Sequence, residues 1–194
     1  MHYCQLCESA VLMQPEVDRA VCPVCRSSEP ARRLPLVVVT GASGSGKTTV
    51  FPHLVAALED CVVFDVDWLL DSFGAACAPD PVDWPAFRDG WLSIAHGVAQ
   101  SGRLTVLLCP FMPEQLADLP ARNWIGDIHF AVLDCPDQER RTRLEARPPW
   151  RAREVEVQIA FGAYLRKNIP TVIPTDRTPA ETARAVAEWV RELV

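Results

Sequence analysis

Apolar and polar positions alternate along this chain in blocks of two kinds. Short apolar runs, Leu36-Val37-Val38-Val39, Cys61-Val62-Val63-Phe64, Leu104 to Cys109, Ile128 to Leu133 and Thr171-Val172-Ile173-Pro174, carry no charge and are rich in β-branched residues. Unbroken runs of that length predict strands buried on both faces. Between them, apolar residues recur at intervals of three and four: Val50, Leu54 and Leu58, then Phe87, Trp91, Ala95 and Val98, then Val157, Phe161 and Leu165, then Ala183, Val186, Ala187 and Val190. That period predicts amphipathic helices. Strands alternating with helices give an α/β domain whose parallel sheet is covered on both faces. The first 30 residues break the pattern. Ala10 to Met13 and Val17 to Val21, separated by Gln14-Pro15-Glu16, read as a short hairpin, and the polar, proline-punctuated stretch Arg26 to Pro35 reads as a connection. The expected organisation is a small unit over 1–30, a linker over 31–35 and a main domain over 36–194.

Composition narrows this picture. In 194 residues, an apolar share of 49% and a charged share of 23% are ordinary for a globular protein. No run of about 18 apolar residues is present to span a membrane. The start, Met1-His2-Tyr3-Cys4, lacks the basic-then-apolar layout of a signal peptide, so a cytoplasmic protein without membrane contact is expected. A formal net charge of −6 argues against a general nucleic-acid binder but leaves room for a local basic groove.

The eight cysteines fall into two groups. Cys4, Cys7, Cys22 and Cys25 form two C-x-x-C pairs, a spacing that lets four thiolates reach one tetrahedral Zn²⁺ at about 2.3 Å each. The segment therefore resembles a zinc ribbon, too small to fold on its own core and dependent on metal. Disulfides are the competing reading, disfavoured in a reducing compartment. Cys61, Cys77, Cys109 and Cys135 are scattered and read as buried, inert thiols.

The chemistry concentrates after the first strand of the main domain. Gly41-Ala42-Ser43-Gly44-Ser45-Gly46-Lys47-Thr48-Thr49 fits G-x-x-x-x-G-K-[ST], between an apolar strand and a helix. Backbone amides can surround a triphosphate only where no β-carbon blocks the approach, which Gly41, Gly44 and Gly46 permit. The helix that starts near Lys47 points its positive end at the same place. Lys47 is expected to reach the β and γ phosphates and the Thr48 hydroxyl to ligate Mg²⁺, with Ser43, Ser45 and Thr49 completing the cradle.

Acids and cations follow. Asp65 and Asp67 close the second strand, where a parallel sheet gathers its ligands, and can orient an acceptor hydroxyl or support a metal; a helix N-cap at one of them is the plainer alternative. The third strand ends without an aspartate, and Asp134, ending the fourth, is a second metal candidate. Arg140, Arg143 and Arg147 share one helical face ahead of Pro148-Pro149-Trp150-Arg151, a layout expected for a lid whose Arg143, Arg147 and Arg151 neutralise a transferring phosphoryl group. Trp68, Trp84 and Trp91 offer either an aromatic acceptor wall or ordinary helix packing.

On these residues the span from about Pro35 to Val194 resembles a small P-loop kinase of the nucleoside and nucleotide kinase group, within it the shikimate, gluconate and antibiotic phosphotransferase types. The resemblance implies a three-layer sandwich around a five-stranded parallel sheet of order 2-3-1-4-5. It implies ATP with Mg²⁺ and transfer of the γ-phosphoryl group to a hydroxyl or phosphate of a small molecule. Asp67 would orient or deprotonate the acceptor, Asp65 would support Mg²⁺, and Thr175 and Asp176 would lie against the adenine. The glycine-rich loop of shikimate-type kinases is replaced by Cys109-Pro110-Phe111, and a ribbon is not a standard part of such enzymes. Two other classes stay in view: a nucleic-acid end kinase gripping its substrate through the ribbon, and a nucleotide-binding switch or assembly factor that docks a protein there.

Overall fold

The structure is a computed structural model that describes residues 2–70, 82–148 and 154–193. The main domain is built on β4 (Leu36–Thr40), β5 (Cys61–Asp65), β6 (Leu104–Cys109), β7 (Ile128–Asp134) and β8 (Thr171–Pro174), all parallel, in the order β5-β6-β4-β7-β8. In the domain's own count that is second, third, first, fourth, fifth. Thr40 pairs with Cys109, and Asp65 with Leu108, so the strands end level and present their loops along one carboxyl edge.

Each face of the sheet has its own apolar layer, which is why the strands carry apolar side chains at consecutive positions. Val37, Val39, Val106 and Leu108 pack on one side against α1 (Lys47–Ala57) and α5 (Pro179–Glu192), through Val50, Leu54, Val186 and Val190. Leu36, Val38, Leu107 and Cys109 meet Phe87, Trp91, Leu92 and Ala95 of α2 (Trp84–Gln100) on the other. On that side Val132 also meets Leu165 of α4 (Val155–Asn168). The short α3 (Asp137–Glu145) follows β7. Asp83 starts α2 by accepting from the Ala86 amide at 3.0 Å, and Thr178 with Glu181 forms a capping box on α5.

The N-terminal unit is a three-stranded antiparallel sheet, β1 (Gln14–Glu16), β2 (Arg19–Val21) and β3 (Ser28–Pro30), with a lone bridge between Tyr3 and Leu12. The expected hairpin is shifted. Gln14-Pro15-Glu16 is a strand and not the break, because Asp18, with φ of 55°, makes the reversal. The polar β3 falls where a connection was expected; its backbone pairs with β2 without needing an apolar face. Residues 31–35 lie along the domain: the Arg32 amide donates to Gln100 Oε1 at 3.0 Å and the Gly126 amide donates to the Leu34 carbonyl at 3.0 Å.

The ribbon rests on the domain through one cluster. Met13, Ala20 and Ala31 pack with Trp124. His2 stacks on Trp124 with ring centroids 5.0 Å apart, its Nδ1 is 2.6 Å from Glu29 and its Nε2 is 2.9 Å from His96 Nε2. His96 is buried on α2, and that loss of water, with His2 beside it, pushes its pKa down to about 4. No helix among the described residues is long and apolar enough to cross a membrane.

Candidate functional site

The cradle forms where the strand, turn and helix pattern required it. Gly44 and Gly46 adopt φ of 84° and 97°, a region that side chains rarely enter. Gly41 is under the turn, where a β-carbon would come within 2.7 Å of the Leu133 carbonyl and 2.6 Å of Ser45 Oγ. The backbone amides of Gly44, Gly46, Lys47 and Thr48 meet no acceptor among the described residues, so four N–H donors at the head of α1 are open to an anion. Lys47 folds back onto the carbonyls of Gly41 and Ala42. Withdrawal from water pushes its pKa down to about 8, against the opposing pull of Cys109, Asp67 and Asp65.

An open cavity of about 650 Å³ extends from this turn. Ser43 to Thr49 form its floor, Asp67 stands on one side, and Arg143, Arg147, Thr175 and Arg177 stand on the other. Most of the expected residues therefore meet in one space. Thr48, with its exposed hydroxyl, and Asp67 supply hard oxygen ligands of the kind Mg²⁺ takes. A triphosphate fits the donors and cations opposite them.

Other expected residues are placed differently. Asp65 is not in the cavity wall; its Oδ1 accepts from the Asp67 amide at 3.1 Å and caps the short 3-10 turn Val66–Leu69. Asp134 is unsuited to a metal, because Arg140 pairs with one carboxylate oxygen and Arg166 Nη1 is 2.9 Å from the other. Asp176 lies in a separate depression with Asp137 and Arg166. Arg143 reaches the cavity but is engaged: it pairs with Glu139, and donates to the Gly44 carbonyl at 3.1 Å and the Thr175 carbonyl at 3.2 Å. Arg151 lies outside the described residues. Cys109 is buried, which pushes its thiol up to about 12, and Cys61 and Cys135 also shift up by burial.

Two supports of the cradle have no plain signal in the sequence. Gln158 of α4 accepts from the Ser43 amide at 2.8 Å, and the fully buried Arg140 of α3 donates to the Ser43 carbonyl at 3.2 Å. Ser43 is pinned from both sides by residues about a hundred positions later. Arg177, in the loop that carries Thr175 and Asp176, also lines the cavity.

In the ribbon, the sulfurs of Cys4, Cys7, Cys22 and Cys25 all lie within 4.8 Å of one another. The Cys4–Cys25 and Cys7–Cys22 separations are 3.6 and 3.7 Å. Tetrahedral Zn–S bonds of about 2.3 Å need sulfurs about 3.8 Å apart, so the cluster fits a four-thiolate metal site. Ser27 Oγ, 3.3 Å from Cys4 Sγ, draws that thiol's pKa down to about 6, while the contact with Cys4 pushes the Cys7 thiol up to about 12.

No protein-family model matches the chain, and no curated protein matches it in sequence. Its fold is that of the P-loop kinases, as comparison with solved structures shows. The tunicamycin resistance protein of Deinococcus radiodurans superposes with a TM-score of 0.59 at 17% identity, covering 82% of this chain and 96% of that one. A sugar kinase from a Janibacter species gives 0.58 at 17% identity, over 84% and 95% of the two chains. Shikimate kinase from Aquifex aeolicus gives 0.54 at 14% identity, over 82% and 97%.

Proposed function

We propose that the protein is an ATP-dependent kinase that transfers the γ-phosphoryl group to a hydroxyl or phosphate of a small molecule. The observation that carries this reading is one cavity in which open amides, Lys47 and Thr48 face Asp67 across the space a phosphoryl group would cross. Kinases of sugars and shikimate among the structural neighbours support the reaction class. Mg²⁺, when bound, would neutralise charge on the β and γ phosphates, with the Thr48 hydroxyl among its ligands. Lys47 would release the Gly41 and Ala42 carbonyls and bind phosphate oxygen, while Arg147 adds positive charge from the lid side. Asp67 would orient the acceptor hydroxyl and take its proton as the bond forms.

Zn²⁺ in the four-cysteine cluster would serve stability, and free thiols at this spacing suit a reducing cytoplasm. On this reading the chain divides into a metal-held unit over 1–30, a connection over 31–35 and a domain over 36–194. The ribbon rests on the last turns of α2, at the amino edge of the sheet, whereas the cavity opens on the carboxyl edge. That separation favours a small acceptor over a nucleic-acid end fed from the ribbon.

A screen of sugars, sugar acids, nucleosides and aminoglycosides for acceptor-dependent ADP release tests the proposal. At least one class should stimulate release well above the background hydrolysis, and Lys47→Ala should remove that stimulation. Slow hydrolysis indifferent to every small acceptor would replace the kinase reading with a nucleotide switch.

A further inference from the structure

Apolar side chains left in water are concentrated in the ribbon. Among the described residues eleven large ones are exposed, and five of these, Tyr3, Leu6, Leu12, Val17 and Val24, fall within the first 30 residues. A single exposed leucine needs no explanation, whereas a contiguous apolar patch on a soluble unit marks a contact surface. The question is therefore whether these five lie together.

Four of them gather around the four-cysteine cluster. Along extended backbone successive side chains take opposite sides. Cys4 and Met13 turn into the core shared with Trp124, so Tyr3 and Leu12, neighbours across the antiparallel bridge, turn away from it. Leu6 and Val24 hold the same place in the two C-x-x-C turns, directly before Cys7 and Cys25, and are 76% and 69% exposed. The sulfurs of the two turns lie within 4.8 Å of one another, which sets Leu6 and Val24 on adjoining turns. Gln14 pairs with Val21, and continuing that register carries Leu12 toward Pro23 and Val24. Val17 stands apart, beside Asp18 at the β1–β2 reversal. The surround is acidic: Glu8, Glu16, Asp18 and Glu29 outnumber Arg19 and Arg26. Arg26 is 3.8 Å from Glu16, whereas Glu8, next to the first turn, is exposed and meets no cation among the described residues. Four thiolates around one Zn²⁺ would keep the cluster itself anionic. Such a field repels nucleic acid and acidic lipid and draws lysine and arginine.

We propose that Tyr3, Leu6, Leu12 and Val24 form a docking surface for a basic segment of another protein, one that sets leucine- or phenylalanine-like side chains on the two cysteine turns and lysine or arginine over the acidic rim. Apolar contact supplies the affinity, and the rim selects the partner and speeds its approach. The surface is independent of the kinase reading, because none of its residues belongs to the cavity.

The test selects random dodecapeptides displayed on phage against the full-length protein prepared with Zn²⁺, with counter-selection on the double variant Leu6→Ser, Val24→Ser. Survivors should be rich in Lys or Arg together with Leu, Ile or Phe, and poor in Asp and Glu. A synthetic peptide of a surviving sequence should shift the NMR resonances of Tyr3, Leu6, Leu12 and Val24 saturably and bind the double variant at least about tenfold more weakly. Its affinity should fall as salt is raised, and Glu8→Lys, which alters neither core nor cluster, should lower it by about threefold. Zinc content and ATP affinity should be the same in all three proteins. No survivors, survivors rich in acidic residues, equal affinity for parent and double variant, or shifts confined to the main domain would overturn the proposal. So would self-association lost in the double variant, which would give the surface to a second copy of the chain, or binding of a single-stranded oligonucleotide or an anionic vesicle at the same four residues.

Discussion

The ribbon and the five-stranded domain are stabilised by unlike means. The domain fills two apolar layers with its own valines, leucines and aromatic residues, one on each face of the sheet. The ribbon contributes Cys4, Met13, Ala20, Cys22 and Ala31 to its core and takes Trp124 from its neighbour. Two of its own five are thiols of the four-cysteine cluster. In the domain, reactive groups sit on a framework that stands without them; in the ribbon, the reactive groups are the framework. Disturbing each set should therefore have opposite consequences for folding and for chemistry.

The sharpest contrast comes from the proposed Zn²⁺. Removing it with a chelator should abolish ribbon order, since metal binding in such units is worth on the order of 10 kcal/mol. Limited proteolysis should then cut within the first 25 residues while ATP affinity stays within about threefold. Loss of nucleotide binding on the same timescale would show that the two parts fold as one.

Lys47→Ala tests the other side. It should lower acceptor-dependent turnover by about 10²- to 10³-fold, or about 3–4 kcal/mol, without altering the circular dichroism spectrum. Because burial opposes the charged form of Lys47 in the empty cradle, Lys47→Met should melt no lower than the parent at pH 7. A large drop in melting temperature would mean the cradle is part of the framework after all.

The smallest effect is in pH. With its pKa lowered to about 8 in the free protein, Lys47 is half charged near that pH and almost wholly charged only about one unit lower. Bound phosphate favours the charged form, so the contribution of Lys47 to ATP affinity should level off below about pH 7 and fall progressively through pH 8, approaching at most about tenfold per unit. Calorimetry in buffers of different ionisation enthalpy should register proton uptake near pH 8.5, absent in Lys47→Met.

The same contrast explains what could be read in advance. The central strands β4, β6 and β7 were legible because burial on both faces demands uninterrupted apolar residues, the half-exposed edge strands β5 and β8 because they keep short β-branched runs, and the cradle because positive φ and phosphate access demand glycine at fixed places. In the ribbon only β2 was, inside the strand expected over Val17 to Val21; β1 and β3 were not, since backbone pairing places no apolar demand on Gln14-Pro15-Glu16 or Ser28-Glu29-Pro30. Helical spacing put Arg140, Arg143 and Arg147 on one face but could not show that Asp134 lies beneath the first, turning it into a buried strut. Gln158 and His96 act on Ser43 and His2 from far along the chain, beyond the reach of any local pattern. The sequence allowed a cap at either Asp65 or Asp67; the direction of the turn makes Asp65 the cap and Asp67 a wall of the cavity.

The long helix α2 has a consequence of its own. Its first turn adjoins the turn bearing Asp67, its last turns seat the ribbon, and its 17 residues span about 25 Å. Anything clasped by the ribbon thus stands behind the catalytic mouth, as luggage on a roof rack clears the doors. A companion protein moored there could ride through every turnover without blocking entry of substrate or exit of product.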